Sequence, residues 1–180
     1  ALADDSVRPQ HVYYSAGSYD DPGANSMGRK GWRGSDLVFD LDADHLPGVD
    51  PEAATYAEML ATCKEALLRL LDILAGEFGF TDTDVVFSGG RGYHVHVRRA
   101  DVQSLDRSAR GEIATYVRGS EVAFEDLVRT EAVGRAAGRT RPAEKRTLPP
   151  GGGWSGRLSA ALAALAAALR APAADAAPGG

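Results

Sequence analysis

Two aspartates with a single residue between them are the first side chains whose types and spacing could do chemistry. Asp40 and Asp42 close the run S-D-L-V-F-D-L-D, whose apolar and β-branched residues are typical of a short strand. Because side chains alternate along a strand, both carboxylates share one face and lie roughly 6–7 Å apart. That spacing allows them to bind one hard divalent cation, or two neighbouring ones. The competing interpretation is that they only mark the exit of the strand into a loop.

A glycine-rich turn carries the second set of candidate groups. The stretch S-G-G-R-G-Y-H begins at Ser88 and ends at His94. Glycines let a backbone approach a ligand closely, and the guanidinium of Arg91 offers a planar fork of donors suited to phosphate. The stretch therefore predicts a triphosphate clamp built from Ser88, Gly89, Gly90, Arg91 and His94. The alternative is a plain hairpin whose glycines serve only the turn.

Together the two stretches predict phosphoryl or nucleotidyl transfer. Two metal ions can activate a 3′-hydroxyl and neutralise a pyrophosphate leaving group. In that interpretation Asp40 and Asp42 hold the metal ions. Ser88, Arg91 and His94 then hold the phosphates.

The composition is that of an ordinary globular chain. Its 180 residues carry a formal net charge of −5, so a strongly basic surface for nucleic acid is not expected. Only three of the 20 cationic residues are lysines, a bias that a salt-rich cytoplasm or a high genomic GC content would favour. A lone cysteine, Cys63, leaves no intrachain disulfide, and no apolar run is long enough to span a bilayer. We therefore expect a cytoplasmic protein with no membrane segment.

Helices and strands must position these groups. Along the chain the pattern predicts a strand over residues 11–15, a loop over 17–34, the strand with the two aspartates, a helix over 51–78, strands over 84–88 and 93–97, and helices over 105–117 and 122–128. The long helix starts at Asp50-Pro51 and ends before Gly79. Cys63 lies on its apolar stripe and His96 lies deep in a strand, so both are expected to be structural. The expected fold is α/β (α+β), a mixed β-sheet with flanking helices.

The composition changes in the last third of the chain. Residues 129–146 are basic and turn-rich. Residues 149–180 read as a Gly/Pro linker and an Ala-rich tail, with a possible helix over 158–170. We therefore expect one catalytic domain over residues 1–148, followed by this tail.

The two stretches also resemble a known family. F-D-L-D followed by S-G-G-R-G-Y-H resembles the first two motifs of the archaeo-eukaryotic primase superfamily. The run from Tyr13 to His45 resembles the small (catalytic) subunit of archaeal DNA primases, and the likeness covers about residues 8–150. It implies that Asp40 and Asp42 are the catalytic, metal-binding aspartates. It also implies that the nucleotide-binding residues are Ser88, Gly89, Gly90, Arg91 and His94.

The resemblance implies an activity and its partners as well. The fold would be a primase/polymerase-type catalytic core, incomplete in this chain. The activity would be that of a DNA-directed RNA polymerase, a nucleotidyltransferase that uses Mg²⁺ or Mn²⁺. It would make short RNA primers on a single-stranded DNA template during DNA replication, with nucleoside triphosphates as substrates. The partner would be the primase large subunit, in a heterodimer.

Three features depart from the family pattern. The third catalytic carboxylate has no credible match, because Asp175 lies in an Ala/Pro tail. Many relatives bind zinc through a cysteine cluster, which Cys63 alone cannot form, so no zinc site is expected. The N-terminal helices of the family would precede residue 1. We therefore expect a truncated or unusually short member, of halophilic type, whose activity on its own is open.

Two other functions remain as alternatives. A haloacid-dehalogenase-like phosphatase also places D-x-D after an apolar strand, with Asp40 as nucleophile and Asp42 as acid/base. That family expects Gly-Thr or a similar pair where this chain has Ala43-Asp44. The second alternative is a non-catalytic, primase-like module that binds nucleic acid or a partner subunit. A calcium loop fits poorly, because the position that requires glycine holds His45.

Overall fold

Helices and antiparallel sheets alternate along the chain, so the expected α/β (α+β) class is confirmed. The computed structural model describes residues 12–133, 143–149 and 151–170. The chain packs as two compact units, residues 1–113 and 114–180. Every strand pair in the described ranges is antiparallel, so the sheet expected to be mixed has no parallel pair there. The domain boundary expected after residue 148 stays a prediction.

The first unit contains a hairpin, a three-stranded sheet and one long helix. Its elements are β1 (Gly17–Tyr19), β2 (Trp32–Ser35), β3 (Leu37–Asp42), α1 (Tyr56–Phe78), β4 (Asp84–Phe87), β5 (Gly92–Val97) and α2 (Ala100–Gln103). Short 3-10 helices lie at Met27–Arg29 and Ala43–His45. The strand order in the sheet is β3-β5-β4, and α1 packs against β3 and β5. This arrangement agrees with the predicted hairpin of β4 and β5.

The N-terminal part differs from the sequence-based expectation. The strand expected over residues 11–15 is wrong for its described part, because residues 12–15 form no regular element and β1 begins only at Gly17. The loop expected over 17–34 is instead a hairpin, in which β1 pairs with β2. The aromatic content of residues 12–15 indicated a strand, but these residues pair with no other strand in the described part of the chain. A strand depends on pairing with its neighbours more than on the propensity of its own residues.

Helix α1 is the long helix that the apolar periodicity predicted. It ends at Gly79, whose φ of 66° makes it a left-handed C-cap. It begins later than expected, at Tyr56, because the carboxylate of Asp50 accepts instead from the amide of Glu52, in a turn that precedes the helix. The N-cap is Thr55, whose hydroxyl accepts from the amide of Glu58, while the Glu58 carboxylate accepts from the amide of Thr55 at 2.8 Å. This reciprocal capping box satisfies two of the free amides at the helix start.

The core of the first unit lies between α1 and the sheet. The helix buries Met59, Cys63, Leu67, Leu70, Ile73 and Leu74 along one face. Val95 and Val97 of β5 are fully buried. One cluster, in which Leu41 and Tyr93 pack against Ala43, Met59 and Cys63, lies at the end of β3 that carries the aspartates. The site described below is therefore backed by close packing.

The second unit contains a hairpin and two helices, and α3 (Arg107–Arg118) runs across the division between the units. Its other elements are α4 (Phe124–Leu127), β6 (Arg129–Val133), β7 (Ala143–Thr147) and α5 (Gly153–Arg170). Helices expected over 105–117 and 122–128 are confirmed as α3 and α4, and that expected over 158–170 begins earlier, at Gly153. The indole of Trp154 donates to the carbonyl of Tyr116 at 2.9 Å, which holds the first turn of α5.

Parts of the basic segment and of the Ala-rich tail cannot be compared with the expectations from the sequence. The middle of the basic segment, residues 134–142, and the end of the Ala-rich tail, residues 171–180, lie outside the described residues. Among the described helices, none combines the length and apolarity needed to cross a membrane.

The capping box of α1 generates a prediction about stability and pH. Replacing Thr55 by alanine removes the N-cap and should lower the melting temperature at neutral pH by about 2–4 °C. The pKa of Glu58 is held below its ordinary value of 4.5, chiefly by the hydrogen bond from the Thr55 side chain. A lowered pKa means that the ionised carboxylate stabilises the fold above that value and loses this effect as the pH falls below it. The difference between Thr55→Ala and the parent chain should therefore shrink in acid.

Thermal unfolding followed by calorimetry at neutral and at acid pH measures this difference. Thr62→Ala is the matched control, because Thr62 lies inside the same helix and its hydroxyl donates to the carbonyl of Glu58. An equal loss from Thr62→Ala would show that the N-cap has no special role.

Candidate functional site

The pairing of β3 with β5 brings the two predicted stretches together. In this antiparallel register Asp40 lies opposite His94, and Asp42 lies opposite Gly92. Leu37 and Val95 point into the core, whereas the Asp40 side chain is 63% exposed. The glycine hairpin thus pairs beside the aspartate strand, with His94 on the carboxylate face.

Gly92 is the point of closest approach between the two stretches. A Cβ at this residue would overlap the carbonyl oxygen of Leu41 and would lie 2.8 Å from a carboxylate oxygen of Asp42. No side chain can occupy that space without moving the backbone of β3. The glycine therefore allows the turn to lie directly against the end of the aspartate strand.

The turn itself is held by a serine and by the long helix. The hydroxyl oxygen of Ser88 accepts from the amides of Gly90 at 3.4 Å and Gly92 at 3.2 Å. The amide of Ser88 donates to the carbonyl of Gly92 at 3.0 Å. From the start of α1, the hydroxyl of Tyr56 donates to the carbonyl of Gly90 at 2.9 Å. Gly89 takes a φ of 82°, which glycine adopts without strain. These contacts give the turn one defined conformation.

The first aspartate contacts the histidine of the turn motif. Nε2 of His94 lies 3.2 Å from Oδ1 of Asp40, and both side chains are partly open to solvent. The contact makes the orientation of the imidazole depend on the carboxylate. Two residues predicted to serve different ligands, a metal ion and a phosphate, are thus neighbours on one face.

The second aspartate lies among other potential metal ligands. Asp42, Asp44 and His45 each have a ligand atom within 4.8 Å of those of the other two. Carboxylate oxygens are the donors that Mg²⁺ and Mn²⁺ prefer, whereas imidazole is more typical of Zn, Cu, Fe and Ni. The two carboxylates of this group therefore fit the divalent cations expected from the sequence. Asp40 lies on the same strand face but is not a member of this group.

The arginine of the turn is paired with a carboxylate. Nη2 of Arg91 lies 2.8 Å from Oδ2 of Asp44, with the two side chains 47% and 21% exposed. The amide of Ala43, next in the chain to Asp44, donates to the carbonyl of Arg91 at 3.1 Å. A backbone contact and a side-chain contact thus join the same two segments.

Cys63 and His96 lie behind and beside the site. Cys63 is fully buried in α1, and its thiol donates to the carbonyl of Leu41 at 3.6 Å. Burial raises the pKa of this thiol, and the negative charge of Asp42 raises it further. His96 is buried, with 7% of its surface exposed, which agrees with the structural role expected for it.

Two residues that the sequence did not predict belong to the arrangement. Asp44 is the counter-ion of Arg91, and the D-x-D-x-D spacing is the sequence signal that includes it. Tyr56 supports the turn from more than 30 positions away in the chain, and no local pattern indicates such a contact.

A family model described as DNA primase small subunit matches residues 39–151. The chain is 66% identical over 158 residues to the DNA primase small subunit PriS of Natronomonas pharaonis, an alignment that covers 88% of this chain and 40% of that protein. For the protein of the same name from Haloarcula marismortui the identity is 60% over 150 residues, covering 83% and 38%. For that of Methanococcoides burtonii it is 40% over 160 residues, covering 85% and 39%. The chain thus spans about two fifths of the length of these curated relatives.

The contact between Gly92 and Leu41 generates a prediction about the register. Gly92→Ala should lower the free energy of unfolding by about 3 kcal/mol or more, because the new methyl group meets a backbone carbonyl that cannot move without breaking the β3–β5 pairing. Urea denaturation measures the loss.

Gly90→Ala is the matched control for this substitution. A Cβ at Gly90 would meet only the Ser88 hydroxyl, at 3.9 Å. We expect its free energy of unfolding to stay within about 1 kcal/mol of the parent value. Equal stability of the two variants would contradict the close approach of the turn to β3.

Proposed function

The chain belongs to the DNA primase small subunit family, and from this membership we propose that it carries the catalytic site for making short RNA primers on single-stranded DNA. The observation that supports the proposal is the register of β3 and β5, which sets Asp40 and Asp42 on one face beside the turn from Ser88 to His94. Metal ligands and phosphate ligands are then close enough to serve one nucleoside triphosphate. The matching family model is that of a primase subunit, which favours this function over the phosphatase alternative.

The aspartates are proposed to hold Mg²⁺ or Mn²⁺. When bound, these ions neutralise charge on the phosphates and lower the pKa of the attacking 3′-hydroxyl. Asp40 and Asp42 supply carboxylate oxygens from a strand that the core keeps in place. Because their backbone is fixed by pairing with β5, little ordering of the chain remains to be done when a ligand binds.

The turn is proposed to hold the triphosphate. Arg91 has the planar fork that binds phosphate oxygens in pairs, and His94 adds a single donor on the same face. Gly89 and Gly90 leave the backbone of the turn open to close approach by a ligand. Ser88 keeps the turn in shape through its hydroxyl oxygen, while its own O–H proton remains available for a phosphate oxygen.

The remaining parts of the proposal follow from the family. The substrates are nucleoside triphosphates, the template is single-stranded DNA, and the partner is the primase large subunit, in a heterodimer that works in the cytoplasm. Exposed cations on the β6–β7 hairpin, among them Arg129, Lys145 and Arg146, are suited to phosphate contacts with a template. The curated relatives named DNA primase small subunit are more than twice as long as the chain, so these assignments remain proposals.

Nucleotide binding tests whether the strand and the turn form one site. We expect this chain to bind a nucleoside triphosphate in the presence of Mn²⁺, as measured by isothermal calorimetry. Arg91→Ala should weaken binding by about tenfold or more, because a charge-assisted bond to phosphate is lost. The double variant Asp40→Ala/Asp42→Ala should abolish the dependence on Mn²⁺.

Two matched controls remove the same charges elsewhere. Arg69→Ala takes an exposed arginine from α1, and Asp21→Ala/Asp82→Ala removes two exposed carboxylates. Neither should change the affinity by more than about twofold. Binding that is equally strong without Mn²⁺, or unaffected by Arg91→Ala, would contradict a shared site.

Primer synthesis then separates an enzyme from a binding module. RNA products on a single-stranded DNA template that disappear in Asp40→Ala/Asp42→Ala would support catalysis by this chain. Metal-dependent nucleotide binding without products, also after addition of the primase large subunit, would favour the non-catalytic module.

A further inference from the structure

The guanidinium proposed to bind phosphate is already occupied by a carboxylate. Arg91 and Asp44 form an ion pair at 2.8 Å, and Asp44 is the less exposed partner, at 21%. Surface ion pairs are often weak because two long side chains must be ordered to form them. Here the hydrogen bond from the amide of Ala43 to the carbonyl of Arg91 already fixes the two segments side by side. Ala43 is itself fully buried, so this end of the pair is anchored in the core.

Asp44 also lies close to a second carboxylate, that of Asp42, and to the imidazole of His45. Its carboxylate lies in the group with Asp42 and His45, whose ligand atoms are all within 4.8 Å of one another. Asp44 therefore stands between the cation of the turn and the acidic end of β3. An approaching phosphate chain meets two carboxylates and an arginine that already contacts one of them through Nη2.

We propose that Asp44 masks Arg91 and thereby makes triphosphate binding conditional on a divalent cation. The inference rests on the proposed function and assigns a positioning residue to the same site. Without a cation, the negative charge of Asp44 repels phosphate and competes with it for the guanidinium. A divalent cation bound beside Asp42 and Asp44 neutralises their charge, which removes both effects and frees the guanidinium of Arg91. Because coupling between two ligands is reciprocal, the same residue makes cation binding stronger when phosphate is present.

The arrangement distinguishes Asp44 from the other carboxylates of the site. Asp40 contacts His94, and Asp42 has no ion pair with Arg91 among the described contacts. Among the described contacts, Asp44 is the carboxylate that touches the guanidinium and so competes directly with phosphate for it. The role is therefore specific to Asp44 and is separable from the metal-binding role proposed for Asp40 and Asp42.

Binding of inorganic tripolyphosphate to this chain in the presence of a chelator tests the masking directly. Asp44→Asn removes the charge and keeps the size of the side chain. We expect it to bind tripolyphosphate about fivefold to tenfold more tightly than the parent chain, because a like charge beside the anion is lost. With Mn²⁺ in excess the gain should disappear, so that the ratio of affinities with and without the cation falls in the variant.

Two further variants show whether the effect passes through Arg91. The double variant Asp44→Asn/Arg91→Ala should lose the gain in metal-free binding. Asp101→Asn is the matched control. Asp101 forms a comparable ion pair with Arg99, with an N···O distance of 2.7 Å, and this pair is not part of the turn. It should leave tripolyphosphate binding unchanged. Asp44→Ser, which also lacks the charge, serves if Asp44→Asn proves unstable in thermal unfolding.

Several outcomes would overturn the inference. The first is that Asp44→Asn binds tripolyphosphate without metal no more tightly than the parent chain does. The second is that the gain in affinity persists in Asp44→Asn/Arg91→Ala, and the third is that Asp101→Asn shows an equal gain. Tripolyphosphate contains no nucleoside and the test involves no template, so its result does not depend on primer synthesis. A gain in Asp44→Asn, together with absent nucleotide binding by the parent chain in Mn²⁺, would support the masking and count against the proposed function.

Discussion

The contact on which the rest of the site depends is the approach of Gly92 to the carbonyl of Leu41. Antiparallel pairing has a period of two residues, so a shift of one position would turn the carboxylates of β3 into the core and the apolar residues out of it. The lack of a side chain at Gly92 lets β5 begin directly beside Asp42. From that point the register places His94 opposite Asp40. One small residue thus determines that the acidic strand end and the glycine turn share a face.

The packing behind this pair of strands keeps the register. Leu41 and Tyr93 lie against the cluster of Ala43, Met59 and Cys63, so the apolar side of β3 and β5 is covered by the first turns of α1. The same helix start reaches over to the turn through the hydroxyl of Tyr56. The buried contacts of Leu41 and Tyr93 and the hydrogen bond from Tyr56 to Gly90 together hold the strand pair and its turn in place. The long helix therefore helps to position the glycine-rich turn without contributing a charged group to the site.

The open face of the sheet holds its charges in pairs. Asp40 lies next to His94, and Asp44 lies next to Arg91, while Asp42 is placed between them along the chain. Each pair joins a residue of the strand end to a residue of the turn. In the partly exposed setting these contacts are moderate in strength, so the ions and phosphates proposed as ligands would be able to compete with them. A site for charged ligands requires this balance, because an arginine locked in a dry salt bridge could not be released.

The sequence by itself determined the strand that carries Asp40 and Asp42, the hairpin with its glycine turn, and the long helix from its apolar period. These features are local, because alternation, turn residues and the 3.6-residue repeat operate over a few positions. The sequence also showed the resemblance to the primase family, because that resemblance depends on two short motifs. Local pattern was misleading at residues 12–15, where aromatic content had no strand beside it, and at Asp50, where T-x-x-E farther on marks the true helix start. Only the tertiary structure decided that Asp44 pairs with Arg91 and that Tyr56 supports Gly90. Those contacts join residues far apart in the chain, and their partners are set by the register of β3 and β5 and by the way in which α1 packs on them.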